Sequence, residues 1–429
     1  MKTNNLSILF SSLLALAVLL SACGSPSVSV AKSDLERVIS PAIPTSDTQT
    51  LVDGNNAFAL DLYQSLRPQN GNLILSPYSI SIALSMTYAG ARGETESQMA
   101  QVLHYDLLQA QLHPAFNSLD QALAARGKSQ SEEETPLQLD IANSVWAEQT
   151  FPFLKDYLDV IALNYGAGIQ LADFVNQHES VRREINMWVS DQTKDKIRDL
   201  LQEGIVKPTT KMVLVNAIYF KADWAIQFDP DSTRKAQFHL LDGSETQVDM
   251  MSKTMYGLPY TQGNGFQAIE LPYQGGAAAM DIIVPDEGAF TQVESRLDSA
   301  MLNDILGDLQ PTPVHLSLPR FNFTSEFKLA NQLKGMGMTD AFDENLADFS
   351  GMTGGRDVFI DNIVHKAFVA VDEKGTEAAA ATAVVIAPTS AGPIEAITLI
   401  IDRPFIFVIR DIPSGQILFI GRVLDPTAK

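Results

Sequence analysis

The side chains best suited to catalysis or metal binding are six histidines and one cysteine, and they are scattered along the chain. No Gly-x-Ser-x-Gly elbow, His-Glu-x-x-His pair or Walker loop occurs. His178-Glu179 begins like a zinc-protease motif, but Arg182 stands where the second histidine would lie. With no ligand cluster and a single thiol, no enzyme activity, metal, cofactor or intrachain disulfide is expected. The stretch from Gly375 to Ala391 is unusual in another way. It lacks bulky polar side chains after Glu377, and Thr382, Val384, Val385 and Ile386 favour strand over helix. In an extended chain Thr376, Ala378, Ala380, Thr382, Val384 and Ile386 share one face, all small or apolar, while Glu377 falls on the other. That pattern makes one face of the segment fit for burial in a sheet.

The one cysteine closes a targeting segment. Lys2 gives a basic start, and Leu9 to Leu20 is apolar except for Ser11 and Ser12. This run is too short for a comfortable membrane span and reads as a cleaved leader. Leu20-Ser21-Ala22-Cys23 resembles the lipobox of bacterial lipoproteins. The resemblance implies that residues 1–22 are removed and that the Cys23 sulfur carries diacylglycerol. Gly24, rather than aspartate, follows the cysteine, which by analogy with Gram-negative sorting favours the outer membrane. The expected location is therefore the cell envelope or its exterior. Residues 23–50, rich in Ser, Pro, Thr and Ala, read as a flexible tether, and a globular domain is expected over 51–429. Acidic residues outnumber basic ones by 51 to 30, and loss of Lys2 takes the net charge from −21 to −22. Such acidity disfavours nucleic acid and anionic membrane surfaces, so membrane contact is expected through lipid alone.

Several elements can be placed by pattern. Ala57 to Tyr63 has helical spacing; Ser76-Pro77 caps and opens a helix through Ile80, Ala83, Leu84 and Met86. Gly93 opens another, with Thr95 as cap before Met99, Val102 and Leu103. Met212 to Phe220 is a continuous β-rich run, as expected of a strand covered on both faces. Further strands are predicted at Met280–Val284, His315–Phe323, Lys366–Asp372, Phe405–Arg410 and Ile417–Val423. Helices mixed with long strands in a chain that is 45% apolar argue for an α+β fold with large sheets.

Certain stretches belong together when taken in order: Asn72 to Ile80, then Ala83-Leu84, Met86, Gly90-Ala91, Gly93 and Thr95; Asn216 to Lys221 with Trp224 and Phe228; His365-Lys366-Ala367; Val371 to Thr382; Asp402 to Phe407; and Gly421-Arg422-Val423 with Pro426. In this combination they resemble the serpin family of protease inhibitors. The resemblance spans about Leu51 to Pro426. It implies three β-sheets, about nine helices and an exposed reactive-centre loop. It casts Ser76, Asn216 and His365 as the shutter, a polar cluster beneath the sheet that must part to admit a new strand. Trp224 and Glu373 match the breach, where the loop first enters. The hinge comprises Glu373, Gly375, Thr376, Glu377, Ala378, Ala379, Ala380, Ala381 and Thr382.

What the resemblance implies chemically is suicide inhibition of a serine protease by a monomer. The protease attacks the loop and forms an acyl-enzyme; the freed loop inserts into the main sheet and drags the enzyme along. At about 3.3 Å per residue, insertion of some fifteen residues spans roughly 50 Å. The family's spacing laid on Glu373 puts the scissile bond at Thr389-Ser390, with Ile386, Ala387 and Ala391 as neighbouring candidates. No Arg, Lys or aromatic residue lies between Ala378 and Arg403, so elastase-like or subtilisin-like targets are expected. The alternatives are a non-inhibitory serpin that binds or carries a ligand and, with less support, a lipoprotein enzyme.

Overall fold

The β-rich run starting at Met212 is the central strand of the molecule, buried along almost its whole length as its lack of a polar face predicts. The computed structural model describes residues 28–126, 137–376 and 395–429. In chain order the strands are β1 Val28–Ala31, β2 Leu73–Leu75, β3 Gln138–Glu148, β4 Ile169–Ala172, β5 Met212–Asp223, β6 Arg234–His239, β7 Glu245–Gly263, β8 Phe266–Pro272, β9 Ala278–Pro285, β10 Gln310–Pro319, β11 Phe321–Lys328, β12 Asn362–Val371, β13 Gly375–Thr376, β14 Ile397–Ile400, β15 Phe405–Asp411 and β16 Ile417–Val423. The described helices are α1 Thr45–Leu66, α2 Pro77–Tyr88, α3 Gly93–Leu103, α4 Gln109–Arg126, α5 Lys155–Tyr165, α6 Phe174–Gln192, α7 Phe290–Arg296, α8 Ser299–Gly307, α9 Ala330–Met336 and the single turn α10 Ser350–Thr353.

Seven strands form one sheet in the order β1-β4-β3-β5-β13-β12-β11. Its two faces are covered differently, and strand alternation along β5 shows how. Leu214, Ile218 and Phe220 join the large core shared with α1, α2 and the second sheet, whereas Val213, Val215 and Ala217 pack with Ile185 and Val189 of α6. The other strands form a continuous ladder, β14-β10-β7-β8-β9-β15-β16-β2, with β6 paired to β7. The nineteen-residue β7 makes it continuous: it pairs with β6 over Glu245–Met250, with β10 over Met250–Tyr260, and with β8 at Tyr260–Gly263. The three sheets implied by the sequence thus appear as two hydrogen-bonded ladders in an α+β fold.

Three local expectations need correction. The tether expected over 23–50 does not extend past residue 27: β1 pairs antiparallel with β4, and the chain after it is pinned to α4 and α5. Ser33 donates to Asp159, the Val38 N–H to the Leu163 carbonyl, and Arg37 pairs with Asp120 at 2.7 Å. Helix α1 then begins at Thr45, before the expected boundary at 51. A Ser- and Pro-rich composition hid a strand whose partner lies far along the chain. Residues 23–27, Cys23 among them, lie outside the described residues. Second, the run His315–Phe323 is not one strand, because β10 and β11 belong to different sheets and the chain turns between them at Arg320. Third, Thr95 is buried but does not cap α3; its hydroxyl accepts the Asp348 N–H at 2.9 Å instead.

Candidate functional site

The site begins where β5 and β12 part. These two strands pair in parallel from Val213 opposite Asn362 to Ile218 opposite Ala367, and there the ladder ends. Four levels further along β5, Thr376 of β13 stands opposite Ala222, with Gly375 opposite Asp223. Thr376 also pairs with Val371 of β12. The start of the expected hinge is therefore already seated between the two central strands, antiparallel to both. Gly375 is required by close approach: a Cβ there would come within 2.1 Å of the Ala222 carbonyl oxygen.

A tight turn delivers the hinge. The Asp372 side chain accepts the Lys374 N–H at 2.8 Å, and the Asp372 N–H donates to the Gly375 carbonyl at 3.0 Å. Trp224 clamps the turn from the end of β5, its indole N–H donating to the Asp372 carbonyl at 3.0 Å and its backbone N–H to the Lys374 carbonyl at 2.7 Å. The Glu373 side chain is buried, paired with Arg320 and accepting from the Thr233 hydroxyl. Burial alone would raise the Glu373 pKa, but the hydrogen bonds from Thr233 and Arg320 outweigh it and hold the carboxyl below its usual range. Tyr273 completes the breach. Its ring stacks on Trp224 at 4.7 Å and its hydroxyl meets the Thr376 hydroxyl at 2.7 Å. Burial drives the Tyr273 phenol well above its ordinary pKa, so the pair is a neutral hydrogen bond.

The shutter lies lower, beneath the paired part of β5 and β12. Ser76 caps α2, a helix buried on every side, and its N–H donates to His365 Nε2 at 3.1 Å. Nε2 is therefore the acceptor and Nδ1 carries the proton, which it donates to Asn216 Oδ1. The Asn216 amide in turn donates to Ser79 and Asn143. His365 is fully buried, and the Phe327 ring stacks parallel to it at 6.3 Å. Desolvation pushes its pKa down to about 3; a second proton would also have to sit on Nε2, which now accepts the Ser76 N–H. This cluster joins Asn143 of β3, Asn216 of β5 and His365 of β12 to the helix below, so β5 and β12 cannot part here without rearranging it.

Of the site residues expected from sequence, the structure brings Ser76, Asn216 and His365 together, and likewise Trp224, Glu373, Gly375 and Thr376. Glu377, Ala378, Ala379, Ala380, Ala381, Thr382, Thr389 and Ser390 lie outside the described residues, as does Cys23. Sequence reasoning did not assign roles to Tyr273, Arg320, Thr233, Ser79 or Asn143, each of which reaches the site from a different element. Among the described residues no group of three or more carboxylate, histidine or cysteine side chains is placed to hold a metal ion. No helix among them is long and apolar enough to cross a membrane.

A profile of the serpin (serine protease inhibitor) family matches residues 53–426, and the chain belongs to that family. It is 39% identical over 388 residues to leukocyte elastase inhibitor A of Mus musculus, covering 88% of this chain and all of that protein. Among solved structures it is similar to tengpin, a thermophilic serpin in the native state, with a TM-score of 0.80 and 30% identity over 92% of this chain and 97% of tengpin. Uncleaved ovalbumin gives a TM-score of 0.79 at 28% identity, over 88% of this chain and all of the other.

Proposed function

We propose that this serpin is a suicide-substrate inhibitor of elastase-like or subtilisin-like serine proteases, acting as a monomer at the cell envelope. The observation that carries the mechanism is the seating of Gly375 and Thr376 between β5 and β12, where further loop residues can follow one level at a time. In the proposed reaction the protease serine Oγ attacks the Thr389 carbonyl carbon. An ester forms, the Thr389-Ser390 peptide bond breaks, and the amine of Ser390 takes up the proton and leaves. Insertion then proceeds with Thr376, Ala378, Ala380 and Thr382 facing the core. Thr376 supports this parity, since its side chain is buried against Tyr273 on that face.

The target class rests on the loop's composition, since trypsin-like and chymotrypsin-like pockets find no Arg, Lys or aromatic residue between Ala378 and Arg403. The name of the mouse relative points the same way. Incubation with an elastase should give an SDS-resistant complex of about one inhibitor per enzyme, and mass spectrometry of the released peptide should begin it at Ser390. Strong inhibition of trypsin with none of elastase would refute the target class. Acylation of Cys23 is proposed on the same footing: Cys23→Ala should abolish incorporation of a radiolabelled fatty acid, and equal labelling of the variant would exclude Cys23 as the anchor.

A further inference from the structure

The chain enters the fold at the end of the seven-stranded sheet farthest from the hinge. Val30 of β1 stands opposite Gln170 of β4, Gln170 opposite Trp146 of β3, and Trp146 opposite Val213 near the start of β5. Thr376 stands opposite Ala222, nine residues further along the same strand. At about 3.4 Å per residue the two levels are about 30 Å apart. Only four residues, 24–27, separate Cys23 from β1. Even fully extended, the five steps from Cys23 to Val28 reach no more than about 18 Å. An acyl group on Cys23 would therefore hold the lower end of the sheet close to the bilayer.

The flank that follows β1 fits that position. Residues 32–40 run over α4 and α5 and are fixed there by the Ser33, Arg37 and Val38 contacts described above. Four large apolar side chains stand out from this short region: Val30 at 47% exposure, Leu35 at 45%, Val38 at 41% and Ile39 at 75%. Single exposed apolar residues are ordinary, but four within ten residues, shortly after the proposed acylation site, give this flank side chains suited to lipid. Lys32 and Arg37 balance Asp34 and Glu36, so this region lacks the negative charge that dominates the chain.

We propose that the anchored protein rests on this lower flank, with β1 and residues 32–40 against the bilayer and the hinge pole pointing away from it. The inference rests on acylation of Cys23. The reactive loop then faces soluble proteases, and the inserted strand runs from the outer pole toward the membrane. The test uses the acylated full chain in phosphatidylcholine vesicles that carry a lipid-bound acceptor dye. Donor dyes are placed singly through Val30→Cys, Ile39→Cys and Tyr256→Cys; Tyr256 is 58% exposed and lines a small cavity with Trp224 beside the hinge. Energy transfer from positions 30 and 39 should exceed that from 256 severalfold. A triple change, Leu35→Ser with Val38→Ser and Ile39→Ser, should lower transfer from position 30 while protease inhibition stays unchanged. Equal or greater transfer from 256 in protein that is labelled by fatty acid and floats with the vesicles would overturn the orientation alone. Transfer that depends on protein density would mean that a second copy of the chain covers the flank, which also overturns it. Protein that takes up no fatty acid would instead overturn the anchoring and, with it, this inference.

Discussion

The hydroxyls of Tyr273 and Thr376 meet at 2.7 Å in a fully buried pocket at the mouth of the seven-stranded sheet. Tyr273 is held by its stack on Trp224, so it presents a fixed partner to the first hinge residue whose side chain enters the core. Breaking this bond from either side leaves the other hydroxyl buried and unpaired, at a cost of about 1–3 kcal/mol. Tyr273→Phe and Thr376→Val should each raise the number of inhibitor molecules cleaved per protease trapped. Thr376→Ser should restore the wild-type ratio. The double variant Tyr273→Phe with Thr376→Val should be no worse than either single change, and strictly additive effects would show that the two hydroxyls do not act together.

A charge at the same position tests insertion itself. Thr376 is buried between β5 and β12, so Thr376→Arg would place a guanidinium in a site built for a small hydroxyl and bury it at a cost of several kcal/mol. Insertion should slow, deacylation should win, and the variant should become a substrate. The measurement is the inhibition stoichiometry, and a ratio unchanged from wild type would sink the insertion mechanism.

Cleavage should stabilise the molecule. If the loop completes the sheet between β5 and β12, the nicked protein gains the burial and the ladder hydrogen bonds that the intact protein lacks. Scanning calorimetry of intact and nicked protein should show a marked rise in unfolding temperature after the cut. No rise would favour the reading in which the fold binds or carries a ligand without inhibiting.

The shutter predicts acid sensitivity with a definite sign. His365 has a pKa of about 3 when folded, against about 6.5 for a free histidine. Between those values the unfolded chain binds the extra proton, so the stability contribution is fully present above pH 6.5 and is lost as pH falls toward 3. By pH 5 the loss is about 2 kcal/mol from this residue alone. His113, buried and held near the same value by desolvation, adds a loss of the same sign. Urea unfolding midpoints should therefore fall from pH 7.5 to pH 5, and His365→Gln should flatten the dependence by about half. An identical slope in that variant would remove His365 as a source.

Much of this was readable in the linear chain because it depends on local order. The run from Met212 needs no partner to announce a doubly covered strand, Ser76-Pro77 announces a capped helix, and the small side chain of Thr376 announces a position that can be buried. The family resemblance also named both ends of the shutter, since Ser76, Asn216 and His365 lie in its motifs. What tertiary structure alone decided are the relationships between distant segments. Val28–Ala31 lies in a segment with the composition of a linker and becomes a strand where the edge of β4 offers it backbone partners. Arg320 looks like the interior of one long strand, yet it is the turn between two sheets, and that turn carries its guanidinium to Glu373. Tyr273 gives no sign in its neighbours Leu271 and Pro272 that it will meet Thr376, 103 positions later. Strand and helix signals are written in the spacing of neighbouring side chains, whereas a buried hydrogen bond depends on which surfaces the completed core brings face to face.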